Sequence, residues 1–395
     1  MRRERPRVLM VTGAYAPEKS GASLQCRNLI KALRDRADFT VLTTSTDPSL
    51  PWNSIVDEVK VRRVSVDPGS RLSKLTAIER MASSFFELAP GIDIVHLHGF
   101  SQKSILLVAL ARLLRKKIVI KLTSVGHDDP ASIRAKGAAM WAAYRQADRY
   151  IGVTPRFADG FDATGLDRQR FAFIPNGVDL DRFKPASAGT RSEFRHQLRL
   201  DPTDPVVLFV GFFSREKNPD VLFDAWLALQ EKGVRSTLVL IGATSGAYYE
   251  IDPGLAERIK EKAARRGVID RVVFVEAEDH IEHYFRAADV FALPTAREGL
   301  PNVLLEAMAS AVPPVITRLE GVTDWIVEPG VTGELVPSID SAEFAAALER
   351  LLTSPERRDA MGAAARAHVT QHFSMAATAR STLEIYQDLL KEQTA

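Results

Sequence analysis

Short runs of β-branched and aromatic residues alternate with longer stretches of helical periodicity along almost the whole chain. Strands are predicted at residues 7–12, 39–43, 59–64, 92–97, 118–122, 150–153 and 171–174, separated by helical patterns such as 23–36, 71–88 and 101–114. After Pro185 the alternation restarts, with strands at 206–210, 237–241, 272–275, 290–293 and 315–317. These runs are apolar throughout, which fits parallel strands covered by helices on both faces. The alternation breaks at IPNGVDLDRFKP, residues 174–185, where Asn-Gly, an acidic cluster and a proline fall together. The predicted fold class is therefore α/β, with two doubly wound, Rossmann-like domains of parallel sheet at 1–183 and 184–374. In such sheets ligands bind beyond the carboxyl ends of the strands, so the expected site is a cleft between the domains. Residues 341–391 read as helical, with breaks near 353–355 and 373–374, and a terminal helix, 375–395, is expected to return to the first domain.

Composition narrows the class. A chain of 395 residues with 46% hydrophobic and 26% charged residues can bury two substantial cores. The opening MRRERPRVLMVTGAYAP has too short an apolar run for a secretory signal. The greasiest stretch, 105–114, is too short to cross a bilayer and carries Arg112, so no transmembrane helix is expected. The single cysteine, Cys26, excludes an intramolecular disulfide and fits a reducing cytosol. It lies in the amphipathic pattern SLQCRNLIKAL, which points to packing and not to a nucleophile.

The net charge of +2 conceals an asymmetry: 28 Lys and Arg against 18 Asp and Glu through residue 180, and 24 against 32 beyond it. A basic first half suits an anionic partner, although two differently solvated surfaces explain the same counts. Arg71, Lys74 and Arg80 alternate with Leu72, Leu75, Ile78, Met81, Phe85 and Phe86. That pattern serves either contact with a membrane surface or core packing.

The chemistry concentrates in PTAREGLPNVLLEAMASAVP, residues 294–313. Glu298 and Glu306 flank the turn Gly299, Leu300, Pro301 and Asn302, after which a helix is predicted, with Pro301 suited to its first position. Backbone donors at such a helix start suit a phosphate. Two carboxylates beside it can accept hydroxyls, one from a ribose diol and one from a sugar. The plainer alternative is that Glu306 complements the helix dipole while Glu298 is solvated.

Other candidates are weaker. No GxxxxGKS loop is present, and no GxGxxG follows the first strand. The glycine pair Gly242 and Gly246 in GATSG reads as a turn. No aromatic-basic motif suggests nucleic acid. His280 and His283 have a two-histidine helical spacing without further ligands, and read as a surface pair. His96 and His98 are read as facing opposite sides of one strand, with His98, at the carboxyl end, the better site candidate.

The segment AADVFALPTAREGLPNVLLEAMASAVPPVIT resembles the signature of family 4 glycosyltransferases, retaining enzymes of the GT-B fold marked by two glutamates separated by seven residues. The resemblance extends to YAPEKSGASLQCRNLIKAL, DIVHLHGF, IPNGVDLDRFKP, VGFFSREKNPDVLFDAW and LVLIGAT. It implies a nucleotide-sugar donor bound by the second domain and an acceptor bound by the first. Glu306 would hold the ribose and Glu298 the donor sugar. The amides of Gly299, Leu300, Pro301 and Asn302 would face sugar and diphosphate, although Pro301 has none to give. Val275, Glu276 and Tyr284 would surround the base. Lys217, in SREKNP, matches the lysine that neutralises the leaving diphosphate.

The chain also departs from the pattern. Phe212 stands where the family has an arginine, and Arg215 is the nearest replacement. In the first glycine loop, where Ser20 stands beside Gly21, only Gly21 keeps the close backbone approach to the donor phosphate. Thr123 occupies the place of a frequent histidine near the reacting centre, and His127 follows four residues later as a substitute. Asp179 and Asp181 resemble a metal-holding pair but belong to the hinge segment. The resemblance implies no metal and no cofactor. It also implies a glycan or glycolipid-precursor acceptor in cell-envelope or exopolysaccharide synthesis, and a cytoplasmic protein with peripheral membrane contact through its basic half. A nucleotide-sugar epimerase and a catalytically silent nucleotide-sugar binder are the alternatives.

Overall fold

The computed structural model describes residues 5–18, 20–244, 251–276, 278 and 280–394. They form two compact units. One runs up to Gly177 and takes in Met375 onward; the other is Val178–Ser374.

The first unit contains β1 (Arg7–Thr12), β2 (Asp38–Ser45), β3 (Asn53–Val56), β4 (Val59–Ser65), β5 (Ile94–His98), β6 (Lys117–Leu122), β7 (Arg149–Gly152) and β8 (Phe171–Phe173). Their order is β3-β4-β2-β1-β5-β6-β7-β8, parallel except for the β3–β4 hairpin. The central strands are buried on both faces, as their unbroken apolar sequences require. One face packs Val8, Met10, Ile94 and Val119 against Cys26, Leu29 and Ile30 of the Gly21–Leu33 helix and Leu383, Tyr386 and Leu389 of the terminal helix Met375–Thr394. Cys26 is sealed in this core, and burial pushes its thiol up to about 12.

The second unit contains β9 (Val206–Val210), β10 (Thr237–Ile241), β11 (Val272–Val275), β12 (Val290–Leu293), β13 (Pro314–Thr317) and β14 (Glu334–Val336). They lie in the order β11-β10-β9-β12-β13-β14, all parallel. The division between units falls at Gly177, not at residue 183. Residues 178–183 are bonded into the second unit: Val178 N donates to Phe373 O at 2.8 Å, and Arg366 Nη1 donates to Phe183 O at 2.7 Å.

Each sheet has a point where strand order reverses. In the first it lies between β1 and β5, in the second between β9 and β12. The chains leaving the two strands there turn to opposite faces, which opens a crevice at the carboxyl ends.

Candidate functional site

In the second unit the loops after β9 and β12, the two strands at the reversal point, are stitched together. Ala296 N donates to Glu216 O at 2.7 Å, and Asn218 Nδ2 donates to Pro294 O at 2.9 Å. Asn218, at a left-handed φ of +47°, turns the chain into the helix Pro219–Glu231. The stitching brings Lys217 onto Glu298: Nζ donates to Oε1 at 2.5 Å and to Arg297 O at 3.4 Å. Neither side chain is exposed, at 17% and 12% of its free surface. An ammonium with three protons can hold both oxygens and still offer one to an incoming anion.

The helix after β12 spans Asn302–Ala309, one residue later than a proline at its first position would require. Pro301 is instead the cap residue and has no capping hydrogen bond to give. One turn in, Glu306 has its Oε2 out of solvent contact with no hydrogen-bond partner among the described residues. Burial pushes this carboxyl up to about 7; Arg182 pulls it down and Glu282 pushes it up. Arg182 comes from the former hinge segment. It holds Glu282 through Nε at 3.0 Å and Nη2 at 2.7 Å. Burial opposes ionisation of Glu282, but Arg182, its own backbone amide and His280 together hold the carboxyl below its usual range. Sequence reasoning missed Arg182 and Glu282, because DLDRF reads as a linker until it is seen packed on the helix Ile281–Ala287.

Tyr284, half-buried on that same helix, is carried beside the Asn302–Ala309 helix, which the Ile281–Ala287 helix contacts. Val275 ends β11, and the exposed Glu276 follows it, with Oε1 at 3.5 Å from Thr244 Oγ1. Gly242 has a stricter role than a turn: a Cβ there would lie 1.7 Å from Gly211 O, so glycine lets the loops after β9 and β10 touch. Gly246 lies outside the described residues. Arg215 is on the β9 loop but exposed; the carboxyl of Asp252 is held down chiefly by its hydrogen bond from Arg258, and the charge of Arg215 adds to that pull. Gly299, Leu300 and Pro301 are buried.

In the first unit, Gly21 is the exposed first residue of its helix, behind a reciprocal cap between Ser20 and Ser23. His96 and His98 do not face opposite sides. Residues two apart on a strand share a face, and the two rings stack at 4.6 Å. Both are buried. His96 Nδ1 meets Tyr386 Oη at 2.5 Å, whereas neither ring nitrogen of His98 has a hydrogen-bond partner among the described residues. Burial pulls His96 down to about 3 and His98 well below the usual histidine value, with His96 and Lys121 adding to the effect on His98. His127 is half-buried in the loop after β6, and Lys136 Nζ donates to its carbonyl at 2.7 Å.

The metal candidates dissolve into ordinary contacts. His283 stacks on Phe194 at 4.5 Å, and Asp179 Oδ1 accepts the amides of Asp181 and Arg182. No group of three or more potential metal ligands occurs among the described residues. None of the described helices is long and apolar enough to cross a membrane.

Two doubly wound units, one carrying a lysine and two glutamates at its reversal point, define the GT-B class of sugar-transferring enzymes. Residues 190–368 match the family described as glycosyl transferases group 1, and residues 20–177 match the glycosyl transferase 4-like domain. The D-inositol 3-phosphate glycosyltransferase of Nocardia farcinica is 30% identical over 374 residues, covering 90% of this chain and 80% of its own. The enzyme of that name from Actinosynnema mirum is 31% identical over 386 residues, covering 90% and 88%. Among solved structures, Anabaena HepE in complex with UDP-glucose superposes with a TM-score of 0.78 at 20% identity, over 97% of this chain and 99% of that one. The chain belongs to the family 4 glycosyltransferases of GT-B fold, and it is a glycosyltransferase.

Proposed function

We propose that this enzyme moves a sugar from a nucleoside diphosphate to an acceptor hydroxyl with retention at the anomeric carbon, the second unit holding the donor. The observation that carries this reading is Glu306 Oε2, a sealed carboxylate oxygen without a partner, one turn into the helix whose start adjoins the Lys217–Glu298 pair. A ribose diol supplies the donors that this oxygen lacks. The diphosphate then lies toward the helix start and Lys217, with Arg215 on the same loop and Val275, Glu276 and Tyr284 toward the base. Anabaena HepE, the structural neighbour crystallised with UDP-glucose, supports a donor of this class.

In the transfer, the bond from C1 to the β-phosphate oxygen breaks with its electron pair going to phosphate. The acceptor oxygen bonds C1 from the same face and gives its proton to the departing phosphate. Lys217 stabilises the charge that develops there, and Glu298, fixed by Lys217, orients the sugar without a covalent step. Lysine and helix amides take the part a divalent ion plays elsewhere, so no metal or cofactor is required.

The first unit, with His98 and His127 at its strand ends, takes the acceptor, while Gly21 lets the backbone approach the donor phosphate. The relatives named for D-inositol 3-phosphate support a polyol phosphate as well as a glycan or lipid-linked precursor in envelope or exopolysaccharide synthesis. The reaction belongs to the cytoplasm, at the inner face of the membrane. The helix Arg71–Leu88 supports that last point, since it exposes Leu72, Leu75 and Ile78 beside Arg71 and Lys74.

Thermal shift with UDP, GDP and ADP tests the donor site: a true ligand at 100 times its dissociation constant stabilises by about 2.7 kcal/mol. Incubation of the matching nucleotide-sugars with inositol phosphate and glycan acceptors is expected to release nucleotide and yield a glycoside of unchanged anomeric configuration. No shift with any nucleotide, or an inverted product, refutes the reading.

A further inference from the structure

The loop after β6 is wired by two consecutive aspartates with different surroundings. Asp129 works at the loop's outer turn: Oδ2 accepts Gly126 N at 2.8 Å, and Oδ1 accepts Ser132 N at 2.9 Å, capping the helix Pro130–Ala135. Asp128 is fully buried. Its Oδ2 accepts both Thr123 N and Thr123 Oγ1 at 2.8 Å, and its Oδ1 accepts Ser124 N at 3.0 Å. The titratable groups facing it are Asp129 and Tyr144, whose hydroxyl donates to the Asp128 carbonyl at 3.2 Å. Among the described residues no cation pairs with it. Gly99, just past β5 at φ +83°, closes the other side: a Cβ there would come within 3.3 Å of Thr123 Oγ1 and 3.5 Å of Asp128 Oδ2.

A buried carboxylate without a cation is costly, and its cost is offset here only by hydrogen bonds to two residues of one loop. That loop leaves the carboxyl end of β6, next to β5 and the reversal point of the first sheet, where ligands of open sheets bind. We propose that Asp128 is a positioning residue of the transfer reaction: as a carboxylate it fixes Thr123 and Ser124, and through them presents the His127 loop to the acceptor. This rests on the reading that the first unit takes the acceptor. Protonation would put a hydroxyl where an acceptor is needed and release part of the loop. Burial pushes this carboxyl up to about 6, against the pull of its three hydrogen bonds. Turnover therefore falls on the acid side as Asp128 gains its proton.

The test is Asp128→Asn in the full chain, with turnover and donor KM measured from about pH 5 to 9. Turnover at neutral pH is expected to fall about ten- to a hundred-fold, with donor KM and nucleotide binding unchanged and the acid limb gone. Asp128→Glu restores part of the rate and the limb. Unchanged turnover, a retained acid limb, or joint loss of nucleotide binding and turnover overturns the proposal. Hydrogen exchange gives a readout independent of catalysis. Protection of the Thr123 and Ser124 amides is expected to drop in Asp128→Asn and, in the wild type, below about pH 6; protection equal in both proteins also overturns it. Failure of the sugar-transfer reading would appear instead as no product with the wild type while the exchange result stands.

Discussion

The two units share one architecture and treat charge at their strand ends in opposite ways. The second pairs Lys217 with Glu298 and Arg182 with Glu282, and among the described residues leaves a buried carboxylate oxygen of Glu306 unmatched. The first carries basic groups without counter-charge: buried His96, His98 and Lys121 and half-buried Lys103 form no ion pair among the described residues. Lys103 spends its ammonium on Thr12 O at 3.0 Å and Thr44 Oγ1 at 3.1 Å. Burial pulls both lysines down to about 8, as it pushes Glu306 up to about 7. A buried ionisable group that lacks a partner sits near its neutral form until a ligand supplies one. In the second unit the group without a partner among the described residues is thus an acceptor, Glu306; in the first, the groups without counter-charge are His96, His98, Lys103 and Lys121 together with the carboxyl of Asp128.

The largest test of this contrast is Lys217→Ala. It removes the cation and leaves Glu298 unpaired, which costs about 2–5 kcal/mol, or roughly thirty-fold to several thousand-fold in turnover. A loss below about three-fold would show that the pair takes no part in transfer.

Glu306→Gln comes next and acts in two directions. Donor affinity is expected to fall about ten- to a hundred-fold, because a charged acceptor is lost. Stability moves the other way. The folded-state value of about 7 lies above the ordinary 4.5, so the stabilisation from protonated Glu306 is complete below 4.5 and is lost as pH rises through about 7. The glutamine variant avoids that loss and is expected to be more stable than wild type by about 1–3 kcal/mol at pH 8, with no difference near pH 4. Denaturant titrations at the two pH values read this directly; equal stability at pH 8 would show that burying the ionised Glu306 costs the fold nothing.

The smallest effect concerns the outer surface. Leu72→Glu with Leu75→Glu is expected to weaken sedimentation with phosphatidylglycerol vesicles about three- to ten-fold while leaving turnover on a soluble acceptor intact. Equal sedimentation of variant and wild type would assign those leucines no lipid contact.

Strands buried on both faces declare themselves as unbroken apolar runs, and every such run in the sequence became a strand within two residues at its start. The strands that escaped notice were short or marginal. β3 pairs with β4 across Asp57 and Glu58, both at positive φ, a hairpin turn whose usual asparagine or glycine is missing. β14 is three residues long. Glu298, Glu306 and Lys217 stood out by spacing and by resemblance, yet their relation did not. Nothing in the separation of residues 217 and 298 announces a 2.5 Å contact; that requires β9 and β12 to be neighbours. Asp128 did not stand out, because a buried carboxylate and an exposed one look alike in a sequence.

Periodicity and turn chemistry act over a few residues, so the sequence by itself determined the two α/β units, the helical tail and the types of group available for chemistry. Burial and partnership depend on which strands lie side by side. Only the tertiary structure decided that Glu298 would be paired and Glu306 left wanting, that His96 and His98 would stack in one core, and that the linker-like Arg182 would bond Glu282 and act by its charge on Glu306. The physical reason is common to all three: the state of an ionisable group is set by the dielectric and the charges within a few ångströms, and those neighbours come from remote parts of the chain.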